Sequence, residues 1–101
     1  MYEVKSGVRT VNGKSVDTWI AEIYSANIIE AEVGTTGFQG GDTGHGGRTY
    51  FRLKDLGSTD MLVTSKDDEV TMEFGGDTEL DTFIQSLEFA LKVLKEQANI
   101  K

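Results

Sequence analysis

The residue types best suited to chemistry in this sequence are concentrated in one glycine-rich segment, residues 34–47. Seven of its fourteen residues are glycine, and it contains the only histidine of the chain, His45. Two arginines, Arg48 and Arg52, follow closely. Consecutive backbone N–H groups in glycine-rich turns form concave sites that bind phosphate or carboxylate. The segment therefore predicts a binding site for a small anion.

In such a site, hydroxyl groups, cations and an aromatic ring would act together with the backbone, which suits a nucleotide or a phosphorylated metabolite. The candidate ligand-binding residues are Thr35, Thr36, Gly40, Gly41, Asp42, His45, Gly46, Gly47, Arg48, Tyr50 and Arg52. The segment lacks the Gly-Lys-Ser/Thr ending of a P-loop, and no predicted helix follows it as a dinucleotide fingerprint requires. We therefore expect a small, non-enzymatic binding protein that recognises an anionic ligand without either of these motifs.

The same segment has a simpler interpretation as a long connection between two strands. Glycine adopts positive φ at little cost, so a connection that turns several times favours it. Residue types alone do not separate a binding loop from such a connection.

The charge distribution favours a localised anion site. The chain carries 17 acidic and 10 basic residues, a net charge of −7. From Gly34 to Lys54 there are three bases and one acid, so this segment forms a basic island in an acidic protein. Nucleic-acid affinity comes mostly from phosphate neutralisation by Lys and Arg, so the acidic remainder argues against direct binding of nucleic acid.

An alternative function follows from the acidic part of the chain. Between Asp55 and Leu91 there are ten acids and a single base, Lys66. A strongly negative surface can occupy the basic groove of a nucleic-acid-binding protein, as in acidic inhibitory proteins of phages or mobile elements. Carboxylates that only keep the surface soluble would give the same composition.

A small enzyme that uses His45 is the third possibility, with Asp42 orienting its imidazole as a general base. No serine lies in the context of a nucleophile elbow. A structural zinc site needs four protein ligands, and the chain has one histidine and no cysteine. We therefore expect no metal and no cofactor.

The 101 residues predict one domain, 1–101, that buries a single core without disulfides. The N-terminus has no apolar run typical of a signal peptide, and no segment reaches the length of a membrane span. These features predict a cytoplasmic protein with no membrane contact.

Apolar alternation predicts six strands, which cover 2–11, 15–24, 28–33, 49–53, 61–64 and 70–74. Asn12-Gly13 is a strong signal for the turn of a hairpin. The fold class predicted is α+β, with a mainly antiparallel sheet of about five to six strands. One C-terminal helix is expected to pack on one face of it.

The helix should begin at Thr78, with that side chain as its cap. Its apolar residues recur at spacings of three and four, which predicts a stripe that faces the sheet. The stripe consists of Leu80, Phe83, Ile84, Leu87, Ala90, Leu91 and Leu94. Phe89 and Val93 widen it beyond what one sheet contact requires, so we expect a homo-oligomer.

Overall fold

The computed structural model describes residues 2–99, in which six strands precede one helix. The elements are β1 (Tyr2–Val11), β2 (Lys14–Tyr24), β3 (Ile28–Thr35), β4 (Thr49–Gly57), β5 (Met61–Lys66), β6 (Glu69–Phe74) and α1 (Asp77–Gln97). The predicted α+β class and the C-terminal helix are confirmed. Each strand prediction is also confirmed in position, although β4 continues four residues beyond its predicted end.

The six strands form two antiparallel sheets, which corrects the expectation of a single sheet. β1, β2, β3 and β4 pair in chain order as a four-stranded meander, and β5 pairs with β6 alone. The β1–β2 turn has positive φ at Asn12 (48°) and Gly13 (80°), as the Asn-Gly signal predicts. Alternation specifies that a segment is a strand, but it does not specify which strand lies beside it.

The core lies between α1 and the two central strands of the meander. Odd-numbered residues of β2 and β3 face the helix, because successive side chains in a strand alternate between the two faces. The buried core consists of Ala21, Ile23, Ala31, Val33, Phe89, Ala90 and Val93. Leu53 of β4 and Leu94 of α1 pack against its edge.

The helix uses a different face from the one predicted. Thr82, Ser86, Phe89 and Val93 face the sheet. Of the predicted stripe, Ala90 lies in the core and Leu94 packs against it, which confirms that part, but Leu80, Ile84, Leu87 and Leu91 are half-exposed. Thr82 and Ser86 are tolerated in this interface because their hydroxyl groups donate to helix carbonyls, for example Ser86 Oγ to Thr82 O at 2.7 Å. No helix in residues 2–99 has the length and apolar character needed to cross a bilayer.

The predicted helix start is also wrong. α1 begins at Asp77 with Gly76 as its N-cap, which places Thr78 inside the helix. The Thr78 hydroxyl donates to Glu79 Oε1 at 2.9 Å rather than capping the helix. Glu79 Oε2 accepts the Asp60 N–H at 3.2 Å and so joins the first turn of α1 to the start of the β5–β6 hairpin.

Candidate functional site

The connection from β3 to β4, residues 36–48, is here named the glycine loop. It closes at its base, where the Thr36 N–H donates to Arg48 O at 2.9 Å and the Arg48 N–H donates to Thr36 Oγ1 at 2.8 Å. Four of its glycines have φ near +80°, namely Gly37, Gly40, Gly44 and Gly46. The glycine composition therefore serves a specific backbone path.

The two limbs of the glycine loop also approach each other backbone to backbone. A Cβ on Gly41 would lie 2.6 Å from Gly46 N, and a Cβ on Gly47 would overlap the carbonyl oxygen of Gly37. Neither Gly41 nor Gly47 has positive φ, so it is space and not conformation that requires glycine at these two positions. Side chains there would separate the limbs.

The Arg48 side chain binds the backbone of the glycine loop. Its Nη1 donates to Gly46 O at 2.9 Å and to Gly47 O at 3.4 Å, and its Nη2 donates to Gly44 O at 3.1 Å. The residue is 8 % exposed. One guanidinium thus gathers three carbonyl groups of the loop into a single cluster.

The Arg48 charge has no carboxylate within ion-pair distance in residues 2–99. Its Nε is buried and has no hydrogen-bond partner in that range. Backbone carbonyls solvate a guanidinium but do not neutralise it, so the loop keeps a positive charge near its base. This charge is the electrostatic feature that the basic island predicts.

A cavity of about 660 Å³, here named the loop pocket, lies between the glycine loop and the last turns of α1. Its apolar lining includes Phe38, Leu91 and Leu94. Its polar lining includes His45 and Lys95, both of them exposed. Pockets for small molecules in proteins are of this size and combine apolar walls with a few polar groups.

The structure divides the predicted site residues between the two faces of the sheet. Those that line the loop pocket are Thr35, Gly40, Gly41, Asp42, His45 and Gly47. Thr36, Gly46 and Arg48 support the glycine loop from behind, through the contacts given above. Tyr50 and Arg52 lie on the sheet face opposite the helix, because even-numbered positions of β4 point that way.

On that opposite face, Arg52 is engaged with carboxylates. Its Nη2 lies 2.7 Å from Glu30 Oε2 and 2.8 Å from Glu32 Oε1. Glu32 also accepts from Arg9 Nη2 at 2.6 Å and from the Thr18 hydroxyl at 2.7 Å. Tyr50 stacks under Arg9, whose Cζ lies 5.2 Å from the ring centroid. These residues form a network that we name the Glu32 cluster.

The Glu32 cluster surrounds a carboxylate that is fully buried on the sheet face opposite the helix. Hydrogen bonds from Arg9, and then those from Thr18 and Arg52, hold the pKa of Glu32 at about 2, against the opposing effect of burial. Gly7 leaves the space for this arrangement, since a Cβ there would lie 2.9 Å from Thr18 Oγ1. The cluster is a satisfied structural network.

His45 and Asp42 are joined through their backbones, where the His45 N–H donates to Asp42 O at 2.6 Å. Within residues 2–99 the His45 imidazole has no hydrogen bond to the Asp42 carboxylate. In the same range no group of three or more His, Asp or Glu residues is arranged to hold a metal ion. The pairing of the His45 imidazole with the Asp42 carboxylate that the enzyme hypothesis used is therefore not formed in the described residues.

The sequence interpretation did not include the α1 side of the pocket, which contributes Leu91, Leu94, Lys95 and Ala98. Leu91 and Leu94 belong to the stripe that was expected to face the sheet. Phe38, at 84 % exposed, is the most exposed large apolar residue of the described chain. The sequence interpretation considered Phe38 and Tyr50 as an aromatic surface for a ring, and of these two only Phe38 lines the pocket.

No protein-family model, no curated protein and no solved structure matches this chain. Its function is therefore inferred from the geometry.

Proposed function

We propose that this chain is a non-enzymatic binding domain that recognises a small anionic molecule with a planar apolar part, such as a nucleotide, in the loop pocket. The observation that carries this proposal is the composition of the pocket walls. Apolar side chains line one part, and the Lys95 ammonium and the His45 imidazole, neither of them in a described ion pair, line another. A ligand that carries both a ring and a phosphate satisfies both parts.

The apolar part of the pocket supports a planar ring. Phe38 extends from the glycine loop, and Leu91 and Leu94 form the facing surface on α1. Aromatic rings stack on nucleobases without demanding a particular base, and each such contact contributes about 1–3 kcal/mol. Phe38 gains this contact when a ring enters, because its own side chain is largely in solvent.

The polar part of the pocket holds Lys95 and His45 together with the Asp42 carboxylate, and Lys95 supports a phosphate or carboxylate group there. Lys95 lies in the last turn of α1, where it also offsets the partial negative charge of the helix C-terminus. The C=O of a trans peptide points opposite to the following N–H. Because Gly46 O points at Arg48, the Gly47 N–H points away from the guanidinium, and Gly47 lines the pocket. Arg48 thus acts as a positioning residue for the loop amides.

Thermal unfolding with AMP, adenosine and inorganic phosphate tests this function. A ligand at 100 times its dissociation constant adds about 2.7 kcal/mol to the free energy of unfolding. We expect AMP to stabilise the protein more than adenosine or phosphate does, because only AMP occupies both parts. Phe38→Ala and Lys95→Ala should remove the effect. Lys92→Ala, on the same helix but outside the pocket, is the matched control. Equal melting temperatures with all three probes would contradict the proposal.

A second candidate function is supported by the β5–β6 hairpin. It pairs with no strand of the meander, and an isolated two-stranded hairpin is marginal in water. Val63 and Val70 lie exposed near its tip, on the same face as Met72. The turn adds Asp67 and Asp68 beside them. An exposed apolar face edged with carboxylates fits a basic protein partner, as in the acidic inhibitor alternative.

This second function predicts a charge-dependent complex. Reversing Asp67, Asp68 and Glu69 to lysine should weaken capture of a basic partner and reduce the salt dependence of that capture, while far-UV circular dichroism stays unchanged. Thr64→Lys and Thr71→Lys, on the opposite hairpin face, add positive charge away from the proposed surface as a control. If all these variants capture the basic partner equally well, the acidic residues only keep the protein soluble and do not form a binding surface.

A further inference from the structure

The outer face of α1 is an exposed apolar feature that the core does not explain. Leu80, Ile84, Leu87 and Leu91 are 56, 45, 48 and 55 % exposed, respectively. They precede the four sheet-facing residues of the helix by two positions each, which is a rotation of about 200° on a helix. The helix therefore has two stripes of equal spacing on opposite faces, and the more apolar one is open.

We propose that this open stripe is the interface for a second copy of the chain, with the two α1 helices packed antiparallel. The spacing of four, three and four residues is that of a coiled-coil seam. It is also palindromic. In an antiparallel pair Leu80 therefore meets Leu91 of the second copy, and Ile84 meets Leu87 of the second copy. The seam is about 16 Å long, and each residue finds an apolar partner within it.

The charges beside the stripe select the antiparallel orientation. Asp77 and Asp81 lie in the N-terminal half of α1, and Lys92 and Lys95 lie in the C-terminal half. With Glu79 included the N-terminal half has a net charge of −3, and with Glu88 and Glu96 included the C-terminal half has a net charge of zero. An antiparallel pair keeps the two acidic halves apart and places Lys92 and Lys95 beside the acidic half of the other helix. A parallel pair would place like charges together, which is unfavourable. Glu88 has no basic counterpart in either arrangement.

This self-complementarity is what favours a second copy over an unrelated partner. A twofold interface requires one surface to match itself, and both the apolar spacing and the end charges do so here. The proposal is independent of any ligand. Leu91 lies in both the seam and the loop pocket, so the second copy would bring its Leu80 against the α1 wall of the pocket.

Sedimentation velocity tests the assembly. We expect the wild-type chain to sediment at micromolar concentration as a species of twice the 11.1 kDa chain mass. Ile84→Glu should raise the dissociation constant about a hundredfold or more, because the interface would bury two unpaired carboxylates. The fold should be retained, since Ile84 is exposed in one chain. Val8→Glu, an exposed apolar site on β1, should leave the dimer intact. A wild-type monomer at these concentrations, or an Ile84→Glu dimer of unchanged affinity, would overturn the proposal.

Disulfide cross-linking tests the orientation in a chain that has no native cysteine. Leu80→Cys and Leu91→Cys, oxidised as a mixture, should form a covalent heterodimer, and each variant oxidised alone should stay monomeric on a denaturing gel. Homodimer cross-links in the separate samples, with none between the two variants, would show parallel helices and overturn the antiparallel arrangement.

Discussion

Arg48 and Gly46 are joined by a hydrogen bond of 2.9 Å that fixes the direction of a peptide group in the glycine loop. In the described chain, every side-chain hydrogen bond that the Arg48 guanidinium donates goes to a carbonyl group of the loop. The sequence interpretation treated Arg48 as a direct ligand contact. The structure gives it a position behind the loop, where it can orient the amides.

Replacing Arg48 should loosen the glycine loop and leave the sheet intact. Arg48→Ala removes the donors of three carbonyl groups and should lower the free energy of unfolding by about 1–3 kcal/mol. Arg48→Lys should recover only part of this, because one ammonium does not reproduce the planar fork. Hydrogen exchange of the loop amides should accelerate in both variants, with exposed Lys54→Ala as the control. Unchanged exchange rates in Arg48→Ala would show that the Arg48 hydrogen bonds do not hold the loop backbone in place.

The close approach of the loop limbs predicts a sharp difference between two glycines. Gly47→Ala places a Cβ against the Gly37 carbonyl and should cost about 1–3 kcal/mol through overpacking. Gly57→Ala, also outside the positive-φ region, meets only Ile28 Cδ1 at 3.9 Å and should change stability by less than about 0.5 kcal/mol. Chemical denaturation measures both. Equal effects would show that the limbs are not in contact.

The depressed pKa of Glu32 predicts a pH-dependent stability. Wild type and Glu32→Gln should differ by a constant free energy of unfolding above the ordinary pKa of 4.5. That difference should shrink as the pH falls from 4.5 towards about 2, because in this range the unfolded chain binds a proton at residue 32 that the folded chain does not. Asp17→Asn, at an exposed position, is the control. A difference that stays constant over this range would contradict the charge pairing.

The hairpin turn predicts a stabilising substitution. Asp67 and Asp68 have φ of 51° and 61°, a conformation that costs about 1 kcal/mol for most side chains. Replacing the pair by Asn-Gly should therefore raise the melting temperature, since both residues favour this turn. Replacing the pair by Ala-Ala removes the same charges without relieving the strain. If both variants have the same melting temperature, the effect of the turn on stability comes from its charges and not from its backbone conformation.

Local patterns predict the elements well in this chain. The Asn-Gly turn, the strand positions and the C-terminal helix all follow from alternation and from residue conformational preferences, which are local properties. The separation of the β5–β6 hairpin from the meander cannot be predicted from these local properties, because it depends on which strand edges pair with each other. The Asn27 side chain shows the kind of contact involved, as it donates to Thr59 and Thr82, 32 and 55 residues away in the chain.

The candidate site could be predicted in part for the same reason. Spacing by two indicates that Arg48, Tyr50 and Arg52 share a sheet face, but it does not show which face the helix covers. α1 adds a similar ambiguity, because its two apolar stripes have equal spacing. The sequence therefore locates the glycine loop but not its opposite wall, Leu91 and Lys95.

Backbone amide chemical shifts during a titration with AMP test whether the loop pocket is the binding site. Shift changes are expected in residues 37–47 of the glycine loop and in Leu91 and Lys95 of α1, and all of them should saturate at the same AMP concentration. The chemical shifts of amides in the Glu32 cluster, such as that of Arg52, should not change and serve as the internal control. Phe38→Ala should abolish the changes while its own spectrum remains that of a folded protein. Absence of any saturable change in the wild-type chain, or changes confined to the Glu32 cluster, would contradict the loop pocket as the binding site.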